Sequence, residues 1–337
     1  MNENNTLYTI KDLVVEYVTR MGVLRAVDEV SFEIKKGEVL GLVGESGCGK
    51  STLGKAIMRM IEEPGRIPSG ELNFDDRDLM KVSDEEMRQI RGNRISMIFQ
   101  DPMTSLNPVQ RISEHLIETI RTHDYTIDVK SARSMAAKLI DRLGIRSERI
   151  DDYPHQLSGG MRQRVMIGLG LVLNADLIIA DEATTSLDVI VEAKLVDQLM
   201  QIREEFGVSI MVITHNIALV AQIADRLAVM YAGRIVEIGS IYEVFENPKH
   251  PYTQGLLSCI PTIQLGHDEE LYKMPGEPPN LIDPPSGCRF HPRCPHAMPI
   301  CSQERPSLED LGGEHFVHCW LYQDHPLKEK SGNEVSS

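Results

Sequence analysis

The 337-residue sequence has no long apolar run and no excess of positive charge. Its longest apolar stretch, residues 165–180, is interrupted by Asn174 and Asp176, and the remaining runs are too short to span a bilayer. The net charge of −15 argues against non-specific binding of nucleic acid, because a phosphate backbone would be repelled. We therefore expect neither a membrane-spanning subunit nor a nucleic-acid-binding protein.

The first residues, MNENNTLYTIKDL, lack the basic start and the apolar core of a signal peptide. We therefore expect a reducing compartment, in which cysteines are not expected to form disulfides. Cysteine is scarce over most of the chain, and four of the six lie between residues 288 and 319. The chain after residue 246 is rich in proline, which excludes long helices and a central strand there.

Up to about residue 245, short apolar runs alternate with segments of helical periodicity. The runs typical of buried strands are residues 39–43, 95–99, 177–180 and 210–213. Buried strands that alternate with helices predict an α/β fold, with a mostly parallel sheet covered on both faces. Residues 10–18 and 30–34 alternate apolar and polar side chains as antiparallel strands do, and residues 227–238 are typical of a hairpin.

GESGCGKS, residues 44–51, fits the G-x-x-x-x-G-K-[ST] pattern of a phosphate-binding loop between a strand and a helix. In such a loop the backbone N–H groups curl around β- and γ-phosphates, and the helix start adds positive potential. Lys50 supplies a charge to the phosphates and Ser51 a hydroxyl to Mg²⁺. The predicted contacts with nucleotide are Gly44, Glu45, Ser46, Gly47, Cys48, Gly49, Lys50, Ser51 and Thr52.

Polar residues follow three of the predicted strands. Asp181 and Glu182 end the strand 177–180, where Asp181 can bind Mg²⁺ and Glu182 can orient or deprotonate the attacking water. Gln100 and His215 follow two other strands, so both side chains are expected at the same sheet edge, near the metal-bound water and the γ-phosphate. The predicted Mg²⁺ ligands are Ser51, Gln100 and Asp181.

LSGGMRQR, residues 157–164, predicts a second helix start that can bind an anion. Ser158 can cap a helix that begins near Met161, and Gly159 and Gly160 leave its first N–H groups accessible. One chain does not need two such starts for one phosphate. The simplest use is to contact a nucleotide held by another chain.

These motifs, with Ser186, Leu187 and Asp188 between Glu182 and His215, occur in the order found in ABC-type ATPases, which the chain resembles over about residues 7–245. The resemblance implies a P-loop NTPase (RecA-like) core with an antiparallel β subdomain and an α-helical subdomain at about residues 105–160, plus a small Pro/Cys-rich carboxyl-terminal region. It also implies a head-to-tail dimer that holds two ATP molecules between the phosphate loop of one chain and residues 158–160 of the other.

The same resemblance implies roles for individual residues. Glu182 would activate water, while His215 and Lys50 stabilise the transferring phosphoryl group. Gln100 would sense a membrane subunit, and Asp188 would act across the dimer. Tyr17 would stack on adenine, with an ordinary strand aromatic as the alternative.

Cys48 is predicted at a helix start beside Lys50, a setting that favours the thiolate. Oxidation of Cys48 is therefore a hypothesis. The alternative is a small residue that simply fits its position in the loop.

The spacing Cys288-x5-Cys294-x6-Cys301-x17-Cys319 leaves two metal centres open. Structural zinc sites usually have shorter Cys-x2–4-Cys pairs, whereas an iron–sulfur cluster accepts wider spacing. Nearby histidines keep zinc as an alternative.

NPKHPYTQGLLS, residues 247–258, followed by PGEPPN and the four cysteines, resembles the ATPase subunits of dipeptide and oligopeptide importers. Their carboxyl-terminal region can carry a [4Fe–4S] cluster on four such cysteines. The resemblance implies a structural cluster, with redox sensing as the alternative, and Cys259 is expected to be a plain buried thiol. The expected division is an ABC-type ATPase domain at 5–250, an importer region at 251–325 and a disordered tail at 326–337.

The function implied is ATP hydrolysis that powers peptide import at the cytoplasmic face of the cell membrane, with oligosaccharide or nickel as alternative cargo. The implied partners are a second ABC ATPase subunit, homologous or identical, two transmembrane permease subunits and, indirectly, an extracellular binding protein. A soluble ABC-type machine is the main rival. A non-catalytic interaction module is disfavoured because Lys50, Asp181, Glu182 and His215 are all present.

Overall fold

The computed structural model describes residues 5–98, 106–182, 189–259 and 274–324; of the side chains in 189–198, it describes only that of Asp197. The strands are β1 Thr6–Thr19, β2 Gly22–Lys35, β3 Val39–Val43, β4 Gly65–Phe74, β5 Arg77–Asp78, β6 Ile95–Ile98, β7 Leu177–Asp181, β8 Ser209–Ile213, β9 Arg226–Tyr231, β10 Arg234–Ser240, β11 Glu309–Asp310 and β12 Phe316–Val317. The α-helices are α1 Lys50–Ile57, α2 Asp84–Ile90, α3 Ile112–His123, α4 Val129–Arg142, α5 Gly159–Leu171, α6 Val189–Phe206, α7 Ile217–Ile223, α8 Ile241–Glu246 and α9 Pro251–Ser258. Short 3-10 helices lie at Ser147–Asp151, Pro154–Gln156, His291–Arg293, Pro299–Ser302 and Trp320–Tyr322.

The larger sheet has eight strands in the order β11-β12-β10-β9-β3-β8-β7-β6. The five strands from β9 to β6 run parallel, which brings their carboxyl ends to one edge. Strand β10 returns antiparallel to β9 through a tight turn in which Ala232 and Gly233 both have positive φ. The predicted parallel core and the predicted hairpin are therefore confirmed.

Both faces of this sheet are buried. Along β7, alternate side chains pack in two different apolar clusters, one on each face. Leu177 and Ile179 pack in one apolar cluster with α1 and the antiparallel strands β1 and β2. Ile178 and Ala180 pack in another cluster with helices α3, α4, α5 and α7. Because successive strand residues point to opposite faces, a strand covered on both sides must be apolar throughout.

The second sheet is antiparallel, in the order β2-β1-β4-β5. Its apolar face covers α1, and the Tyr8 hydroxyl donates to the carbonyl of Ile57 at the end of that helix (2.7 Å). The helices α3 and α4 lie within the segment predicted as a helical subdomain. Their buried residues, Leu116, Ile120, Ala136 and Ile140, occur at helical spacing.

The carboxyl-terminal region joins the larger sheet instead of standing apart. Its strand β12 pairs with β10, with Glu237 opposite Val317. Buried polar contacts also hold the region to the sheet. Arg289 donates to the carboxylate of Asp28 (2.7 Å), and the ring of His315 lies 2.7 Å from the carboxylate of Glu237. The tail predicted as disordered, residues 326–337, lies outside the described residues.

Candidate active site

The phosphate loop connects β3 to α1 at the carboxyl edge of the parallel strands. Gly49 has φ 108°, and a Cβ there would lie 2.0 Å from the carbonyl oxygen of Ala26. Gly44 has φ 158°, and its Cβ would lie 2.1 Å from the carbonyl oxygen of Met230. Only glycine fits either place, so the loop lies tightly against its neighbours. No side chain caps α1, so its first N–H groups stay available to an anion.

Lys50 is the buried cation of the loop, with 4% of its surface exposed. Its Nζ donates to the carbonyl oxygens of Gly44 (2.9 Å) and Glu45 (3.0 Å). These neutral partners hold the ammonium group without cancelling its charge. Lys50 is therefore available to the phosphates of a nucleotide. Ser46 and Gly47 are exposed at the tip of the loop, and Thr52 follows in α1.

Two of the three predicted Mg²⁺ ligands, Ser51 and Asp181, lie together beside this loop. The Ser51 hydroxyl donates to Oδ1 of Asp181 at 2.8 Å. Asp181 ends β7 and is 5% exposed, and burial, assisted by the charge of Glu182, raises the pKa of its carboxyl. A buried carboxylate beside a hydroxyl gains most from a divalent cation, so the two residues fit Mg²⁺.

Glu182 and His215 lie next to each other where the adjacent strands β7 and β8 end. Oε1 of Glu182 is 3.8 Å from Nδ1 of His215. Glu182 has φ 45°, an uncommon conformation for this residue type, and its N–H donates to the carbonyl oxygen of Ile213 (2.8 Å). Uncommon backbone conformations of this kind concentrate at active sites. The strand pairing thus brings a carboxylate and an imidazole to the edge that carries Lys50.

The remaining predicted contacts are divided among other parts of the molecule. Ser158 caps α5 by accepting from the N–H of Met161 (3.4 Å), and the helix begins at Gly159, two residues earlier than expected. Tyr17 lies on β1 and is partly buried against the apolar cluster that β1 and β2 form with α1. Gln100 and Asp188 lie outside the described residues.

The four carboxyl-terminal cysteines line one small cavity: Cys288, Cys294, Cys301 and Cys319. Burial and the neighbouring thiols raise the pKa of Cys319 to about 12. Burial likewise raises the pKa of Cys288 to about 11. Thiols with such pKa values stay protonated at neutral pH unless a metal replaces the protons.

Comparisons with known proteins match both parts of the chain. A family model described as ABC transporter matches residues 27–185, and one described as oligopeptide/dipeptide transporter, C-terminal region, matches residues 236–301. The oligopeptide transport ATP-binding protein OppD of Bacillus subtilis (strain 168) is 43% identical over 94% of this chain and 88% of its own length. The dipeptide transport ATP-binding protein DppD of Escherichia coli (strain K12) is 42% identical over 93% of this chain and 96% of its own length.

The chain belongs to this family of ABC transporter ATP-binding proteins. Among solved structures, the dimeric ATP-binding cassette MJ0796, in a post-hydrolysis state with ADP and Pi, matches with a TM-score of 0.61 and 26% identity. The match covers 70% of this chain and 99% of that one. The protein is thus an ABC-type ATPase with the predicted P-loop core, and it hydrolyses ATP. Among the described residues, no helix is long and apolar enough to cross a membrane.

The ABC-type ATPase also has contacts to its phosphate loop that the motifs did not indicate. Arg293 forms a bidentate ion pair with the carboxylate of Glu45, at 2.8 and 2.9 Å. The hydroxyl of Tyr252 accepts from the backbone N–H of Glu45 at 2.9 Å. Both partners belong to the region after residue 250. In the sequence, Arg293 stands out only because it lies next to Cys294. Nothing in that position indicates a contact with Glu45.

The metal centre predicted for the cysteines of this ABC-type ATPase is only partly reflected in the geometry. Among the residues that the structure describes, no group of three or more His, Cys, Asp or Glu side chains is arranged to hold a metal ion. A single zinc ion needs four donors at about 2.0–2.3 Å, so the zinc alternative has no support. What the structure provides is the convergence of four thiols on one cavity.

Proposed function

We propose that this chain is the subunit whose ATP hydrolysis powers the import of dipeptides or oligopeptides. One observation carries the proposal: a single sheet edge holds Lys50, Ser51, Asp181, Glu182 and His215 in a chain whose carboxyl-terminal region matches peptide transporters. Its relatives named OppD and DppD are peptide transport ATP-binding proteins. The division into an ATPase domain at 5–250 and an importer region at 251–325 is part of the proposal.

The residues of the site act in sequence on a bound nucleotide. The loop N–H groups and Lys50 hold the β- and γ-phosphates, and Lys50 exchanges its carbonyl partners for phosphate oxygens. Ser51 and Asp181 would hold Mg²⁺, with Gln100 as a further ligand, and the ion would supply Lewis-acid stabilisation of the charge on the phosphates. Glu182 accepts the proton of the attacking water. His215 orients Glu182 and stabilises charge on the phosphoryl group.

The second anion-binding helix start, at the beginning of α5, contacts a nucleotide that is bound by a neighbouring chain. Ser158, Gly159 and Gly160 begin α5 at the surface, where a Cβ on either glycine would meet no atom within 4 Å. A second ABC ATPase subunit, identical or homologous, would place these residues and Asp188 over the ATP of its partner. ATP then favours the closed pair and ADP the open one. This cycle drives two transmembrane permease subunits at the cytoplasmic face of the membrane, and an extracellular binding protein delivers the peptide.

The cysteine cavity is proposed to hold a [4Fe–4S] cluster on Cys288, Cys294, Cys301 and Cys319. Four thiolates are the donor set of such a cluster, and the cubane needs more room between them than one ion does. The proline-rich region around the cavity contains only short helices and two-residue strands in its described part. A metal centre would supply cross-links there that apolar burial does not.

The test of the ATPase mechanism is the variant Glu182→Gln. Turnover is expected to fall by about a hundredfold or more, because the amide cannot accept the proton of the attacking water. Binding of Mg-ATP should persist, since no phosphate contact is lost. Steady-state hydrolysis and equilibrium binding of Mg-ATP measure the two effects separately. Hydrolysis near the wild-type rate would remove Glu182 from the mechanism.

The peptide-import part of the proposal needs the assembled transporter. In vesicles that contain both permease subunits and the partner ATPase, peptide-loaded binding protein should stimulate hydrolysis, and Glu182→Gln should abolish the stimulation. Stimulation by a nickel- or oligosaccharide-loaded binding protein instead would reassign the cargo.

Metal analysis tests the cluster. Protein purified without oxygen should be brown, absorb broadly at about 400 nm and contain about four irons per chain. The variant Cys301→Ser should lose most of the iron, whereas Cys259→Ser, which alters a residue outside the cavity, should not. Colourless protein with stoichiometric zinc would contradict the assignment.

A further inference from the structure

We propose that Arg293 is a positioning residue for the phosphate loop, through which the carboxyl-terminal region sets the affinity for Mg-ATP. The inference rests on the proposed nucleotide site and adds a residue that touches neither nucleotide nor metal. It begins from an ion pair that joins the loop to a residue 248 positions away in the chain.

The pair joins a buried arginine to a half-buried carboxylate, with a specific geometry. Arg293 is 6% exposed and Glu45 23%, and two parallel N–H···O bonds join them. The Nε of Arg293 donates to the carbonyl oxygen of Pro275 (2.8 Å), and its guanidinium lies 5.7 Å from the ring centre of Tyr231. The guanidinium is therefore fixed from several sides before it meets Glu45. A fork that is already oriented loses little entropy on binding a carboxylate.

Because Glu45 is hydrogen-bonded to groups that contact phosphate, fixing Glu45 also fixes the positions of those groups. Its carbonyl oxygen accepts from Nζ of Lys50 (3.0 Å) and from the N–H of Cys48 (3.3 Å). Its own N–H is held by Tyr252. A shift of Glu45 would therefore move the ammonium group and bend the loop. Displacements of about 1 Å at such a site can cost about a hundredfold in function.

The ion pair also solves an electrostatic problem. A carboxylate in the second position of a phosphate loop repels the phosphates it helps to surround. Arg293 neutralises this charge at a place where water has limited access. Removing only the arginine leaves an uncompensated, half-buried carboxylate beside the anion site, which is costly. Removing both charges together removes the repulsion as well.

The region that carries Arg293 is held to the ATPase domain by other contacts. Asp28 binds Arg289, Glu237 binds His315, and strands β10 and β12 pair. Loss of the Arg293 side chain should therefore leave the region docked. If the region stays docked, a change in affinity for Mg-ATP reports the position of the loop and not a general loss of folding.

The experiment is a double-mutant cycle on Arg293→Met and Glu45→Gln, measured as the dissociation constant of Mg-ATP in a Glu182→Gln background. Arg293→Met should weaken binding by about tenfold to a hundredfold. The double variant should bind at least about fivefold more tightly than Arg293→Met alone, because the repelling charge is gone. The dissociation constant of Arg293→Lys should lie between those of the wild type and Arg293→Met, since lysine keeps the charge and loses the two parallel hydrogen bonds of the guanidinium.

The matched control is Arg305→Met, which removes an arginine of the same region that pairs with Glu29 of the ATPase domain, away from the loop. It should leave the affinity for Mg-ATP unchanged. Unchanged affinity in Arg293→Met would overturn the proposal. So would a loss that Glu45→Gln does not relieve, because the effect would then be structural. If the Glu182→Gln parent itself bound no Mg-ATP, the proposed nucleotide site would fail instead.

Discussion

Single side chains show where burial outweighs the local charge pattern. The sequence places Cys48 at a helix start beside Lys50, and both features favour a thiolate. In the structure the residue is 4% exposed, and burial raises the pKa of its thiol despite the lysine. Burial therefore opposes the thiolate that the sequence indicated at Cys48, and the alternative of a small residue that fits is favoured. Cys259, expected to be buried, is exposed at the end of α9.

The reactivity of these two thiols should follow their exposure. With iodoacetamide at pH 7.5, Cys259 should be alkylated at least about tenfold faster than Cys48, because only an accessible thiolate attacks the reagent. Peptide mass spectrometry of a time course gives both rates in one sample. Equal rates would show that Cys48 is more accessible than the structure indicates, and would revive its oxidation as a hypothesis.

Helix α9 depends on an unusual capping residue. His250 precedes the helix, and its Nδ1 accepts from the N–H of Tyr252 at 3.0 Å. An accepting ring nitrogen carries no proton, and burial lowers the pKa of His250 to about 4. The helix start therefore requires neutral histidine. This cap holds the element that presents Tyr252 to the phosphate loop.

Acid should destabilise this element through His250. Its pKa is lower in the folded state than the usual value of 6.5, so the unfolded chain takes up the proton first. The free energy of unfolding should then fall by up to about 3 kcal/mol as the pH drops from about 6.5 to about 4. The variant His250→Asn keeps an oxygen acceptor without a titrating group.

Denaturant unfolding at several pH values between 7.5 and 4.5 measures the effect. His250→Asn should lose less stability than the wild type over this interval. Parallel pH profiles for the two proteins would mean that His250 does not contribute to the acid sensitivity.

For the whole molecule, the start of α5 points to a second chain. Gly160 has open space where a Cβ would be, so nothing within the described chain requires glycine there. Gly49 is the opposite case, because a Cβ would collide with the backbone of Ala26. A glycine that its own chain does not need is available for close approach by a partner.

The variant Gly160→Ala should separate the two requirements. Alanine favours a helix over glycine by about 1 kcal/mol, so the monomer should be as stable as the wild type or slightly more stable. Binding of Mg-ATP should be unchanged, whereas ATP-driven dimerisation and turnover should fall. Gel filtration and light scattering with Mg-ATP, in the Glu182→Gln background, report the dimer.

The control for this prediction is Gly49→Ala, which should weaken nucleotide binding in the monomer itself. Full ATP-driven dimerisation of Gly160→Ala would mean that the partner does not approach this helix start closely.

What the sequence determined by itself was local. Short apolar runs identified strands β3, β7 and β8, and the spacing of glycines identified the phosphate loop, because both signals depend on neighbours in the chain. Asp181, Glu182 and His215 were also predictable, since the carboxyl ends of parallel strands must meet at one edge. Their detailed roles stay proposals.

What only the tertiary structure decided was contact between distant segments and the balance of burial against charge. The pairing of Arg293 with Glu45 and the joining of β12 to β10 depend on how the carboxyl-terminal region docks. The gathering of four cysteines at one cavity likewise requires loops without any periodic pattern. The reversal at Cys48 has the same origin, because desolvation is set by everything packed around a residue and not by its neighbours in sequence.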